Sequence, residues 1–308
     1  QANGTALSNN YNTALFSGLA TAGLRVIPLD TFNLIREITA NASAYGFSNI
    51  TGTACQPQIT ANSLTCNPTS YVTPDAPNTH LFADGVHPTS RAHQILSQYA
   101  ISVLEAPRQI AVLPHATAVV GRARADRVSG HLAGKPAGDG MRWWVDARAD
   151  FQRYDSGNNY DGVGPTLTGG VDWTSGNFVY GGFAGFGHNA YDFGLRGGDF
   201  DQTEATLGGF AGWYGEHAWV NGQLSYTFAS YDVNRDVVLG PVTRTHSGSP
   251  DGNNLSFGVN AGYNLGGEAL THGPVASVLI QRIDVDGYAE DQPTLSTSLA
   301  YPDQTFDS

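Results

Sequence analysis

A chain of 308 residues with 41% hydrophobic and 11% aromatic residues is long enough for two domains and lacks the composition of a disordered segment. Its formal charge of −12 argues against a nucleic-acid partner, whose phosphates call for a basic face. No run of eighteen apolar residues occurs, which excludes a membrane-spanning helix but not a barrel, whose strands carry a weaker signal.

Charge is unevenly placed. Residues 1–141 hold eight Lys/Arg against seven Asp/Glu, whereas residues 142–308 hold seven against twenty. Position 1 is Gln, with no initiator Met and no secretory leader, so the sequence is expected to be a piece of a longer chain, truncated at both ends.

The first hundred residues read as α/β. An amphipathic stretch over Leu7–Ala22 leads into the apolar run Leu24–Asp30, which suits a buried strand. Thr31 is the expected cap of a helix over Phe32–Ala44, ending near Gly46. Gly52–Asn78 reads as loop. Its two cysteines, Cys55 and Cys66, fit a local disulfide in an oxidising compartment, with two free thiols as the alternative; they cannot make a zinc site unaided.

Chemistry concentrates in Phe82-Ala83-Asp84-Gly85-Val86-His87-Pro88-Thr89. A carboxylate three residues before a histidine can orient and charge the ring, which then takes a proton from a nucleophile elsewhere. The bland alternative is a hydrogen bond that stabilises a turn before a helix. His80 and His93 read as structural, since one base suffices. A helix follows over Thr89–Leu104, with Pro88 at its start and Ala92, Ile95, Leu96, Tyr99 and Val103 on one face. Pro107 is expected to end this domain.

Gln109–Leu132 reads as a helix broken or kinked near Pro114, with Arg122, Arg124 and Arg127 around Asp126. After the spacer Gly134–Gly140 the pattern becomes period two. Trp143, Val145, Ala147, Ala149 and Phe151 alternate with Trp144, Asp146, Arg148, Asp150 and Gln152. Similar alternation recurs over Ala218–Phe228 and Asn254–Leu265, and looser strands fit Pro165–Trp173, Asn177–Gly187, Thr203–Tyr214 and Pro274–Asp286. Strands of this length, with aromatic ends and a polar second face, favour a membrane barrel over a soluble sandwich. About seven strands are too few for a closed bacterial barrel, so an incomplete one is expected. Arg122, Arg124 and Arg127 would then be held in an acidic lumen.

Two motifs are decoys. Asp155-Ser156-Gly157 sits in a turn between strands, and Gly182–Gly187 resembles a nucleotide loop but has no helix behind it.

The block from His80 to Thr89, with His93 after it, resembles the last conserved block of GDSL (SGNH) esterases and lipases. The basic helix and the alternating strands beyond it resemble an autotransporter translocator, and the combination resembles outer-membrane autotransporter esterases over nearly the whole chain. The implied fold class is α/β, the C-terminal part of an SGNH hydrolase domain over 1–105, then a linker helix over 106–140 that threads the barrel. An incomplete antiparallel outer-membrane β-barrel over 141–308 completes it. The resemblance implies that Asp84 is the triad acid and His87 the general base of a carboxylic ester hydrolase at the cell surface. It implies no cofactor and no metal, with an acyl ester, outer-membrane lipid and the barrel-assembly machinery as partners. The family's nucleophilic Ser and its oxyanion-hole Gly and Asn find no matching block here, so the fragment itself is expected to be inactive. A non-enzymatic passenger–barrel protein, such as an adhesin or a porin-like protein, is the alternative, and a soluble lectin-like β domain is a third.

Overall fold

The computed structural model describes residues 2–58, 60–135, 138–267 and 270–308. Gln1, Ile59 of the expected loop, Pro136 and Ala137 of the expected spacer, and Glu268 and Ala269 lie outside the described residues.

The N-terminal part contains α1 (Ala2–Thr21), α2 (Thr31–Ala40), β1 (Asn49–Thr53), a short α3 (Ala76–Thr79), β2 (His80–Phe82) and α4 (Ser90–Ile110). Leu34, Ile38, Tyr45, Phe47, Leu81, Ile95 and Tyr99 form its core. Three expectations need correcting. The α1 helix forms, but Leu7, Tyr11, Leu15 and Phe16 stay exposed, so it buries no apolar face. Leu24–Asp30 is irregular and largely exposed rather than a buried strand. A parallel strand needs a neighbouring ladder, and the one parallel pair among the described residues is β1–β2. The cap of α2 is Asp30, whose Oδ1 accepts from Asn33 N at 3.1 Å; Thr31 is already helical. A further short turn then ends at Gly46, whose φ of 83° is left-handed.

Pro107 does not end α4, which runs on to Ile110. The break falls at Ala111, and α5 (Val112–His131) begins there. Pro114 lies in the first turn of α5, where a missing N–H costs nothing.

The remainder is an antiparallel sheet. It comprises β3 (Gly140–Tyr154), β4 (Tyr160–Ser175), β5 (Phe178–Phe193), β6 (Gly198–Tyr214), β7 (Ala218–Leu239), β8 (Val242–Gly248) and β9 (Asp251–Tyr263). A small hairpin, β10 (Leu265–Gly267) and β11 (Leu270–His272), leads to β12 (Val275–Val285). The pair β13 (Tyr288–Ala289) and β14 (Ala300–Tyr301) precedes β15 (Gln304–Asp307). The order is β15-β12-β9-β7-β6-β5-β4-β3, with β8 paired to the far end of β7.

This sheet is inside out by the standard of a soluble protein. Trp143 and Phe151 are 76% and 83% exposed, and Leu167, Phe186, Leu207, Leu224, Phe257 and Ile280 stand outward on successive strands. The opposite face buries Thr168, Asn189, Gln202, Glu204, Thr206, Asn221, Gln223, Asn254 and Gln281. That polarity fits a wall with lipid outside and a polar interior. Trp173, Tyr180, Phe178 and Trp213 are cross-strand partners near one end, the place for an aromatic girdle.

Helix α5 fills the interior. Arg127 reaches Asp146 on β3 at 2.8 Å, Arg124 reaches Glu204 on β6 at 2.6 Å, and Gln281 on β12 donates to the Ala118 carbonyl at 3.0 Å. Seven strands spaced about 4.8 Å apart would span roughly 29 Å if flat. One helix about 10 Å wide meets both sides only because the sheet curls around it.

Glycine makes room for that helix. A Cβ on Gly185 would collide with the Arg124 guanidinium, whereas one on Gly182 would meet only the Gly208 carbonyl at 3.5 Å. Gly185→Val should therefore impair assembly, read as loss of the heat-modifiable folded band on a gel, and Gly182→Ala should assemble normally.

The N-terminal part is bolted to the rim of this sheet. Arg235 on β7 forms a buried two-point pair with Glu290 at 2.6 and 2.7 Å, and donates to the Thr297 carbonyl. Arg244 on β8 pairs with Glu37 of α2 at 2.7 Å. Tyr99 of α4 donates to the Ser296 carbonyl at 3.0 Å and accepts from Asp30 N at 2.8 Å.

Candidate active site

The turn between β2 and α4 is held at both ends. Ala83 N donates to the His87 carbonyl at 2.8 Å, and Thr89 N donates to the Leu81 carbonyl at 3.1 Å. The Thr89 hydroxyl donates to the His80 carbonyl at 2.7 Å and lies 3.5 Å from Ala92 N at the start of α4. The turn is thus fixed to a strand on one side and a long helix on the other.

Inside it, Asp84 is buried and its carboxylate collects donors. Oδ1 accepts from Val86 N at 2.8 Å and His87 N at 2.7 Å, and Oδ2 accepts from Ser63 N at 2.7 Å. The His87 ring completes the set, with Nδ1 2.8 Å from Oδ2. The backbone N–H groups of His87 and Val86, aided by the His87 ring and Ser63 N, hold the Asp84 carboxyl far below the usual carboxylate range, against the opposing effect of burial. Asp84 is therefore anionic at neutral pH. It retains the ring proton on Nδ1, which leaves Nε2 as the basic nitrogen.

The His87 side chain is 62% exposed. It borders a cleft of about 340 Å³ with Ser63, Tyr71, Pro77, Ser90 and His93. The two residues singled out in the sequence, Asp84 and His87, are thus in direct contact. An anionic acid behind an imidazole whose other face opens to a cleft can accept and return a proton at Nε2.

The other histidines have structural surroundings. His80 is buried with its ring 3.3 Å from the Thr79 hydroxyl, and burial pushes its pKa down. His93 Nδ1 lies 3.0 Å from the Thr89 carbonyl and donates to it. Ser156 occupies the turn between β3 and β4, and Gly182–Gly187 lies within β5. Among the described residues no group of three or more His, Cys, Asp or Glu side chains is arranged to hold a metal.

Ser63 is the residue that sequence reasoning missed. Its Oγ lies 3.1 Å from His87 Nδ1. No motif marks it. The one available signal is Cys66, because Cys55 and Cys66 are bonded and the bridge folds this loop back onto the end of β1.

Residues 143–308 match the autotransporter beta-domain family. Esterase EstA of Pseudomonas aeruginosa is 30% identical over 97% of this chain and 48% of its own length. Lipase 1 of Photorhabdus luminescens is 29% identical over 92% of this chain and 42% of its own. The chain thus spans about half the length of the curated relatives it matches. The translocator domain of autotransporter NalP from Neisseria meningitidis superposes with a TM-score of 0.51 at 17% identity, covering 64% of this chain and 67% of that one. An apolar-out, polar-in sheet curled around a helix and the family match agree: the chain belongs to the autotransporter beta-domain family and resides in the bacterial outer membrane, with the part that precedes α5 at the cell surface.

Proposed function

We propose that residues 1–105 carry the acid–base half of a GDSL-type serine esterase displayed by its own barrel. The observation that supports this most directly is the contact between anionic Asp84 and His87 Nδ1, with His87 beside an open cleft. The relatives it matches, an esterase and a lipase, point the same way.

In this reading His87 Nε2 takes the proton of a serine hydroxyl as that oxygen attacks an ester carbonyl. It then protonates the leaving alcohol, and water resolves the acyl-enzyme by the same route. Asp84 stabilises the imidazolium formed in each step. Ser63 is unsuited to be the nucleophile, because it approaches Nδ1, the nitrogen that Asp84 already occupies. No serine among the described residues is hydrogen-bonded to Nε2, so the nucleophile is assigned to sequence outside residues 1–308, and these residues alone are inactive. Helix α5 links this domain to the barrel, which meets outer-membrane lipid and is inserted by the assembly machinery.

The test is a serine-directed fluorophosphonate probe. The full-length protein should be labelled and should hydrolyse p-nitrophenyl esters, and residues 1–308 alone should do neither. Hydrolysis by residues 1–308 that disappears in His87→Ala would refute the location of the nucleophile. An unlabelled, inactive full-length protein would favour a non-enzymatic passenger.

A further inference from the structure

Asp84 and His87 form a pair, yet their own turn supplies backbone donors to one carboxylate oxygen alone. Val86 N and His87 N both reach Oδ1. The oxygen nearer the ring, Oδ2, has a single backbone donor, Ser63 N, which comes from a loop 21 residues earlier. The Ser63 hydroxyl is 3.1 Å from His87 Nδ1. With Asp84 anionic, Nδ1 carries the proton, so Ser63 Oγ accepts from that N–H beside Oδ2. Ser63 therefore touches both partners: its N–H steadies the carboxylate and its oxygen steadies the ring.

The loop that carries Ser63 is held by polar contacts and the disulfide rather than by packing: downstream of it, Gln56 N donates to the Ser70 carbonyl at 2.8 Å and Val72 N to the Ala54 carbonyl at 2.9 Å. Residues 60–66 bury no side chain fully, and Leu64 is 92% exposed. Asn62 caps the turn by accepting from Leu64 N at 2.9 Å, and Cys66 N donates to the Ser63 carbonyl at 3.2 Å. Cys66 is covalently bonded to Cys55, which is 1% exposed. Cys55 N donates to the Ala83 carbonyl at 3.2 Å. The bridge thus ties the Ser63 turn to the backbone immediately before Asp84.

We propose that Ser63 is a positioning residue for the Asp84–His87 pair and that the Cys55–Cys66 disulfide holds it in place, so that the strength of the base depends on the redox state of the bridge. This inference rests on the esterase reading. An oxidised bridge suits a surface domain, and a reductant would then weaken the base without touching it.

The experiment uses the full-length protein, p-nitrophenyl butyrate as substrate and three comparisons with wild type. Ser63→Ala keeps the N–H and removes the hydroxyl. It should lower kcat about fivefold, the worth of one neutral hydrogen bond, with KM unchanged. The acid limb of the pH profile should move to lower pH, because the protonated ring has lost an acceptor. The double variant Cys55→Ala/Cys66→Ala should lower kcat by roughly tenfold or more, since the N–H contact loosens as well. If that variant fails to fold, wild type treated with reductant until two thiols are counted takes its place. Ring signals of His87 in histidine-labelled residues 1–308 should shift in Ser63→Ala.

Wild-type kcat, pH profile and ring signals in folded Ser63→Ala would overturn the role of Ser63. Unchanged kcat in the reduced or Cys-free protein would overturn the role of the bridge. His87→Ala separates these failures from failure of the parent reading: an active His87→Ala protein sinks the assignment of His87 as the base on which this inference rests, whereas an inactive one leaves it standing.

Discussion

His87→Ala in the full-length protein should lower kcat for ester hydrolysis by about a millionfold, the loss that accompanies removal of a triad base. Asp84→Asn should cost about 10,000-fold. Its amide NH₂ would face an N–H donor, Ser63 N or the pair from Val86 and His87, and the ring would lose the anion that fixes its tautomer. The pH dependence follows from the depressed pKa of Asp84. A carboxylate held below its unfolded value favours the folded turn at every pH above about 4 and loses that effect only as pH falls through its lower folded value. Between pH 5 and 9 Asp84 is ionised throughout, so the acid limb of a kcat/KM profile in that window carries no contribution from it. A single ionisation on that limb, absent in His87→Ala, is expected from initial rates across the window. Residual activity above one-tenth of wild type in His87→Ala would refute the assignment of the base.

The barrel was the most legible part of the sequence. Each of its strands faces two uniform media, so Trp143–Gln152 and Ala218–Phe228 record apolar and polar surroundings residue by residue. The Asp84–His87 contact was legible for a related reason, since both residues belong to one short turn. Leu24–Asp30 misled because an apolar run reports a tendency to be buried but not whether a ladder stands beside it. The cap of α2 was missed by one residue, as helix ends commonly are. Ser63 was invisible because its meeting with His87 is made by a disulfide and by backbone hydrogen bonds, neither of which leaves a local pattern.

The basic cluster in α5 shows the same limit and gives the second large effect. Arg122, Arg124 and Arg127 read alike in the sequence as groups for an acidic interior. The structure separates them by helical geometry. Arg124 and Arg127 are three apart and share a face, whereas Arg122 is two residues from Arg124 and points elsewhere. Arg124 is buried against Glu204 and also donates to the Thr206 hydroxyl at 2.7 Å. Arg127 meets Asp146, with Asp150 3.6 Å away. Arg122 is exposed, has no acidic partner in the wall among the described residues, and lies 3.5 Å from the Ser308 hydroxyl.

Arg124→Met should therefore destabilise the folded barrel by about 3–5 kcal/mol, because Glu204 would remain as a buried, unpaired charge. The second oxygen of Glu204 has no protein hydrogen bond, so nothing else in the wall replaces Arg124. Arg124→Glu should block assembly altogether. Arg127→Glu should have a smaller effect, since Asp146 is partly exposed and can be solvated. Arg122→Glu should stay within about 0.5 kcal/mol of wild type. The double variant Arg124→Met/Glu204→Met should recover most of the loss, as replacing both members of a buried ion pair with apolar side chains is often neutral. Thermal unfolding in detergent, followed by heat-modifiable migration, reads all five. Wild-type unfolding of Arg124→Met would show that α5 is not held by this pair. Equal damage from Arg122→Glu and Arg124→Glu would show that overall charge, rather than the face of the helix, decides how α5 sits in the barrel.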